Sequence, residues 1–354
     1  MALRMKDTAY TEVSTGYRNT IYFGLLISLL LLFLLDIFLG SANISASDVF
    51  KSLFSGSNPL NDTIIFKFRI PKAVTALFVG IALSISGLQM QTVFRNPMAG
   101  PDLLGISSGA SLGVAFIILG FSAGISIESI AGIGNWLLVF AAWAGAGSVM
   151  ILIMIISARV KDILTILILG IMLSGGISAI VTIMQYFSNE TMLKSYVIWT
   201  MGSLGNLTEG QLKVLAISVT AGVFLSFLSA KMLNAMLLGE NYARTIGMNV
   251  RLSRTLIFAG TSIMAGTVTA FCGPIGFIGV AVPHLTRMLF KTSDHKVLLP
   301  GTLLTGAAVM LVSDIISQLP GSDKVLPLNS VTSLIGIPIV IWILLKNRKY
   351  SGIF

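Results

Sequence analysis

Charge is scarce in these 354 residues: Asp, Glu, Lys and Arg make up 10% of the chain, against 55% hydrophobic residues. Soluble domains carry about 25% charged residues, so most of this chain has no water to face and belongs in a bilayer. The net charge of +9 would suggest a nucleic-acid partner in a soluble protein; placed at helix ends and in short loops, it does not. Cysteine is nearly absent. Cys272 alone, inside an apolar run, excludes an internal disulfide, and no Cys or His stands at metal-ligand spacing. No Gly-Lys dipeptide occurs, so the chain has no P-loop and cannot bind ATP through one. No low-complexity linker and no stretch polar enough for a soluble domain interrupts it. A G-x-S-x-G pattern exists at Gly105–Gly109, with His284 elsewhere. A serine hydrolase needs that pattern on a strand-to-helix elbow; here it opens an apolar helical run after Pro101, which disfavours an intramembrane protease.

What is present is a series of apolar runs, several of them reaching the roughly 20 residues needed to cross a hydrocarbon core of about 30 Å. The first, Ile21–Leu39, is too long and leucine-rich for a signal peptide, lacks a small-residue cleavage site and is followed by many more spans. Hydropathy and turn signals predict ten helices near 20–40, 66–90, 101–120, 135–157, 163–187, 211–231, 255–272, 275–291, 297–318 and 328–346. Gly and Pro clusters at 96–101, 273–274 and 319–321 punctuate them. The reading is an all-α, polytopic membrane protein. It has a cytoplasmic N-terminal segment (1–19), one ten-helix domain (20–346) and a cytoplasmic tail (347–354). With the N-terminus inside, only Lys51, Lys67, Arg69, Lys72, Lys194, Lys213 and Lys324 fall outside; the other 16 of 23 Lys and Arg residues lie inside, as the positive-inside rule requires.

Gly105, Gly109 and Gly113 repeat at four-residue spacing, leaving one face of the third span free of side chains. That face suits close helix packing or a channel lining. The longest internal polar segment, 232–254, still carries Leu237, Leu238, Ile246 and Val250, with Gly239 and Gly247 as breaks. An amphipathic helix pair presented to a partner protein explains those residues, as does a helix lying on the lipid surface. Asp36, Asp314 and Arg287 fall close to span ends, so the midplane is nearly free of charge. A secondary transporter usually keeps ionisable groups there, which disfavours an ion-coupled transporter or channel acting without an ATPase. Backbone carbonyls of broken helices leave that alternative open.

Three blocks then stand in order: Arg69-Ile70-Pro71-Lys72 with Ser86–Gln91 and Arg95–Ile106; Gly276–Arg287; and Ser313-Asp314 with Leu326–Leu328 and Leu334–Pro338. Together they resemble the signatures of the FecCD-type permeases, which import ferric siderophores, haem and vitamin B12 by ABC transport. The resemblance runs from about residue 60 to the C-terminus. It implies a type II ABC importer permease with helices 2–5 and 7–10 related as inverted repeats. It also implies two permease subunits, a homodimer favoured, around a central pathway, two ATPase subunits that bind ATP and magnesium, and a periplasmic or lipid-anchored substrate-binding protein. The permease itself would bind no cofactor and be no enzyme. Its cargo would be an iron chelate, a ferric siderophore first, in the cytoplasmic membrane of a bacterium.

By the same resemblance, Gly239, Glu240, Ala243, Arg244, Gly247 and Arg251 belong to the loop that couples to the ATPase. Arg69 and Lys72 would offer cations to the binding protein. Where the family often has an Arg after the Asp of helix 9, Gln318 stands near, and Lys324 could substitute. Asn96, Pro97, Gly100 and Pro101, with the 159–164 loop, resemble the cytoplasmic gate. Gly170, Ser174, Gly175 and Gly176 would line the pathway. His284, at a helix end within a signature, is expected to bond a neighbour rather than a haem iron.

Overall fold

A computed structural model describes residues 15–40, 42, 44–54, 56, 58–120, 135–160, 162–205, 207–319 and 324–347. The predicted N-terminal segment up to residue 14, and the tail beyond 347, lie outside the described residues. The elements are α1 (Thr15–Phe38), α2 (Ala46–Phe54), α3 (Pro59–Ile64), α4 (Ile70–Val93), α5 (Ile106–Ile118), α6 (Asn135–Arg159), α7 (Ile163–Tyr186), α8 (Glu190–Thr200), α9 (Glu209–Leu228), α10 (Ala230–Leu237), α11 (Glu240–Thr245), α12 (Val250–Cys272), α13 (Ile278–Phe290), α14 (His295–Ser317) and α15 (Leu328–Asn347). A π-helical stretch, Ile65–Arg69, joins α3 to α4, and a 3-10 turn, Pro101–Leu104, precedes α5.

Among the described residues seven helices are long and apolar enough to cross a membrane, and three shorter apolar ones complete the predicted set of ten. Two spans begin later than hydropathy suggests. The run at 101–120 becomes helical only at Ile106, after Gly105 at φ +80°, and the run at 275–291 only at Ile278, after Phe277 at φ +66°. A positive φ cannot be part of a right-handed helix, so hydropathy, blind to backbone geometry, overstates both spans. The two 13-residue helices are the second members of helices 2–5 and 7–10, equivalent places in the two expected repeats. Three helices outside the spans, α2, α3 and α8, were not anticipated.

The centre of the molecule is α4, α12 and α14, in which 78, 67 and 61% of the apolar window is buried (α4 being counted from Pro59); for α1 the figure is 11%. Water supplies no hydrophobic drive between helices in lipid, so close backbone approach must hold them. It does. Gly80 and Gly306 let α4 and α14 touch, and Gly87 meets Gly279 between α4 and α13. A Cβ on Gly109 or Gly113 would run into the carbonyl oxygens of Gly145 and Ala141 on α6. The Gly109/Gly113 stripe is therefore a packing surface. Midway along the core, the buried Gln89 amide donates to Ser226 (3.0 Å) and accepts from Thr261 (2.9 Å), tying α4 to α9 and α12. Each partner is satisfied, as a polar group in lipid must be.

Candidate functional site

The face carrying the Arg-rich loops, the inner face on the charge count, is built around the segment from α10 to the start of α12. Gly239 breaks the chain between α10 and α11 at φ +103°, and Gly247 makes the second break at φ +83°. Between them α11 turns Ala243 fully inward and leaves Arg244 exposed; Arg251 on α12 is exposed as well. Leu238, Tyr242 and Ile246 are 63, 47 and 58% exposed. These three apolar side chains, on both sides of the Gly239 break, are not covered by any of the described residues. The amphipathic pair expected from sequence is thus present as α10 and α11.

Glu240 turns towards the interior of the chain. Its carboxylate pairs with the buried Arg254 guanidinium on α12, whose Nε lies 2.6 Å away, and only at 3.9 Å with Arg244. Arg254 also donates to the Val160 carbonyl (3.2 Å) in the loop between α6 and α7. Glu240 is therefore an internal anchor that fixes the 239–251 segment to α12, and through Arg254 to the loop between α6 and α7, while Arg244 is left at the surface.

The turn after α4 follows directly. Arg95 takes φ +49°, the Asn96 side chain accepts from the Met98 N–H (2.9 Å), and Pro97 and Pro101 stiffen the rest. Three side chains hold this turn against α13. The Gln91 amide donates to the Val280 carbonyl (3.0 Å), Arg287 donates to Gln91, and the His284 Nε2–H donates to the Pro97 carbonyl (2.8 Å). His284 bonds a neighbour as expected, and that neighbour is in the turn itself. Asn96 and Pro97 are half-buried at the inner end, whereas Gly100 and Pro101 are buried, Pro101 lying where a Cβ on Gly279 would meet it. Those two glue the turn to α13 rather than line an opening.

On α7, Gly175 and Gly176 have nothing within 4 Å of a would-be Cβ and lie open, while Ser174 is half-buried and donates to the Gly170 carbonyl (2.9 Å). Gly170 is corrected: it is buried, and a side chain there would strike the Leu103 carbonyl. Its small size serves packing against the turn before α5.

At the outer face the expectation for Arg69 is also corrected. It is 7% exposed, and its guanidinium donates to the carbonyls of Ile37 (2.9 Å), Phe38 (3.0 Å) and Ala42 (2.7 Å). Ile37 and Phe38 close α1, where a cation also complements the helix dipole, and Ala42 lies in the loop beyond it. Three of the five N–H groups are so engaged, and the buried guanidinium presents little surface to a partner protein. Lys72 is partly exposed and paired with Asp314 at 2.9 Å. Gln318, in the place where an Arg was expected, donates to both Asp36 and Asp314 at 3.0 Å, so it satisfies two buried carboxylates. Lys324 is exposed.

A chain with seven long and three shorter apolar helices among its described residues and a turn clamped to the eighth span has clear counterparts. The model of the FecCD transport family matches residues 28–346. This chain belongs to that family. The match starts well before the residue-60 limit of the motif blocks. The FecCD chain is 34% identical over 322 residues to the vitamin B12 import system permease protein BtuC of Escherichia coli O9:H4 (strain HS), covering 91% of this chain and 93% of that protein. It is 34% identical over 330 residues to the hemin transport system permease protein HmuU of Yersinia pestis, covering 92 and 96%. Among solved structures it is similar to an inward-facing ABC transporter of metal-chelate type, with a TM-score of 0.78 and 29% identity over 93% of this chain and 99% of that one. PsaBC from Streptococcus pneumoniae, at TM-score 0.52 and 17% identity, shares the fold only. As a FecCD member the protein is a multi-pass permease subunit of an ABC importer and not an enzyme; ATP hydrolysis belongs to a separate subunit. The reading as a secondary transporter is set aside.

Proposed function

We propose that this FecCD permease imports a metal chelate across a bacterial cytoplasmic membrane, with a ferric siderophore as first candidate and haem and cobalamin as its competitors. The relatives' names support the class: one moves vitamin B12, another hemin, and the structural neighbour is of metal-chelate type. In this reading both termini are cytoplasmic, the exposed Leu238, Tyr242 and Ile246 receive an ATPase subunit, and two permease copies meet around the open face of α7. Lys72 and Lys324, without Arg69, receive the binding protein; rim cations chiefly raise on-rate and fix orientation. The turn at Asn96 and Pro97, held by His284, closes the inner end, and exposure alternates as a rigid-body transition.

The single observation that carries the ATPase reading is the exposure of Leu238, Tyr242 and Ile246 beside the Arg-rich loops, because exposed apolar side chains outside the lipid mark a protein contact. Changing Tyr242 and Ile246 together to Glu is expected to abolish co-purification of the ATPase subunit while the permease still folds; retained co-purification sinks the docking role. Cargo is decided by uptake. A deletion strain complemented with this gene is expected to take up a radiolabelled ferric siderophore, and uptake of haem or cobalamin alone replaces that candidate.

A further inference from the structure

One buried side chain joins the coupling segment to the gate turn, and nothing in the motif blocks singles it out. His295, the first residue of α14, is fully buried. Its Nδ1 lies 2.7 Å from the Asn234 side-chain oxygen on α10, and its backbone N–H donates to the same oxygen (2.9 Å). On the far edge of the ring, Nε2 lies 2.8 Å from the Thr92 hydroxyl, at the inner end of α4. Asn234 in turn donates its amide to Asp294 (2.6 Å). That orientation follows from chemistry: reversed, the NH2 group would face the His295 backbone N–H and the amide oxygen would face the Asp294 carboxylate.

The proton placement follows as well. An amide oxygen only accepts, so Nδ1 carries the hydrogen, and in a neutral ring Nε2 is then an acceptor. It takes the Thr92 hydroxyl proton. That hydroxyl is also 2.8 Å from the Leu88 carbonyl of its own helix, so its single proton has two acceptors, one inside α4 and one on α14. Three residues further on, Arg95 starts the gate turn, and its guanidinium lies beside Gly239, where a Cβ would be 3.4 Å from Nη1. The segment therefore touches the end of α4 twice, through Asn234–His295–Thr92 and through Gly239–Arg95.

We propose that His295 is a positioning residue for transport: it carries displacement of the 230–251 segment to the end of α4 and so to the gate turn. The inference rests on the reading of that segment as the ATPase contact. An apolar side chain could fill the same space, but it would tolerate sliding. Two directional bonds on opposite edges of one ring do not, so a moving α10 must either take the end of α4 with it or break a buried bond, which is costly without water.

The test uses the complete complex with its ATPase subunit, reconstituted in liposomes. Cys272 is buried and is replaced by Ser; Met98, 40% exposed in the gate turn, is replaced by Cys. The readout is the maleimide labelling rate of Met98→Cys with and without ATP and vanadate. His295→Asn keeps a donor at the Nδ1 place and loses Thr92; His295→Gln reaches Thr92 and loses Asn234. Thr92→Val removes the hydroxyl at constant shape, and Thr92→Ser restores it. Each broken link is expected to shrink the nucleotide-dependent change in labelling roughly five- to tenfold, as losing one net hydrogen bond allows, with thermal stability and complex assembly kept and Thr92→Ser normal. A full parental response in Thr92→Val and in either His295 variant overturns the relay. So does a parent whose labelling ignores nucleotide. The docking reading fails separately, if the Tyr242/Ile246 double variant still binds the ATPase.

Discussion

At Gly87 the α4 backbone lies against the Gly279 carbonyl so closely that a methyl group cannot enter without moving a helix. Overpacking a core costs about 1–3 kcal/mol when side chains can yield, and here the obstacle is backbone. Gly87→Ala is expected to cost about 3 kcal/mol or more, read as a large fall in thermal midpoint in detergent, whereas Gly176→Ala, in open space, leaves the midpoint unchanged. Equal midpoints would show that α4 and α13 do not touch as described. Charge follows the same rule of neighbours. Glu240→Gln leaves the buried Arg254 guanidinium without its counter-charge, and breaking a buried pair costs roughly 3 kcal/mol. Arg244→Ala loses only a loose exposed contact at 3.9 Å, worth less than about 1 kcal/mol. Protease sensitivity of the 239–251 segment should rise in the first variant and stay parental in the second; the reverse order would restore Glu240 as the surface charge.

Elements depend on their ends. Asp162 caps α7, accepting from the Leu164 N–H (3.3 Å), the Thr165 N–H (3.1 Å) and the Thr165 hydroxyl (2.8 Å). The Thr165 hydroxyl above all, then the Leu164 amide, holds its carboxyl below the usual carboxylate range. A depressed folded value means that the cap's contribution is fully present above the ordinary aspartate value of about 4 and is lost as pH falls through the lower, folded one. Hydrogen exchange at Leu164 and Thr165 is therefore expected to gain intrinsic-corrected protection between pH 3 and neutrality in the parent, and to be pH-independent and faster in Asp162→Ala. A flat profile in the parent removes the cap. The ten spans were legible because hydropathy is a property of composition alone, and the Gly239 and Gly247 breaks because glycine marks turns. The late starts of α5 and α13 were not, since each turns on a single positive φ. Nor was Arg69: its spacing resembles a docking motif, but only the fold brings the end of α1 close enough to occupy its donors. His295 and Asn234, 61 residues apart, carry no local pattern at all.

At the scale of the whole molecule, the surfaces left uncovered by the fold bear on the proposed pairing of permease subunits. Two helices leave broad surfaces uncovered, α1 and α7, with 11 and 28% of their apolar windows buried. Their chemistry differs. The open side of α1 carries bulky Phe23, Leu30 and Leu31, side chains that acyl tails solvate well. The open side of α7 sets Gly175, Gly176, Ser178 and Ala179 among bulky Met172, Ile180 and Ile183; the small residues bury little against lipid and let another backbone approach closely, the basis of helix association in membranes. The proposed pairing is therefore expected through α7, and identical copies suffice if the contact is symmetric. In a Cys272→Ser background, Gly176→Cys is expected to form a dimer of this chain with a short bis-maleimide in membranes, while Leu30→Cys stays monomeric. Cross-linking at Gly176→Cys only when a second permease gene is co-expressed would make the pair a heterodimer. Cross-linking at Leu30→Cys alone would move the interface to α1 and give the α7 face to lipid.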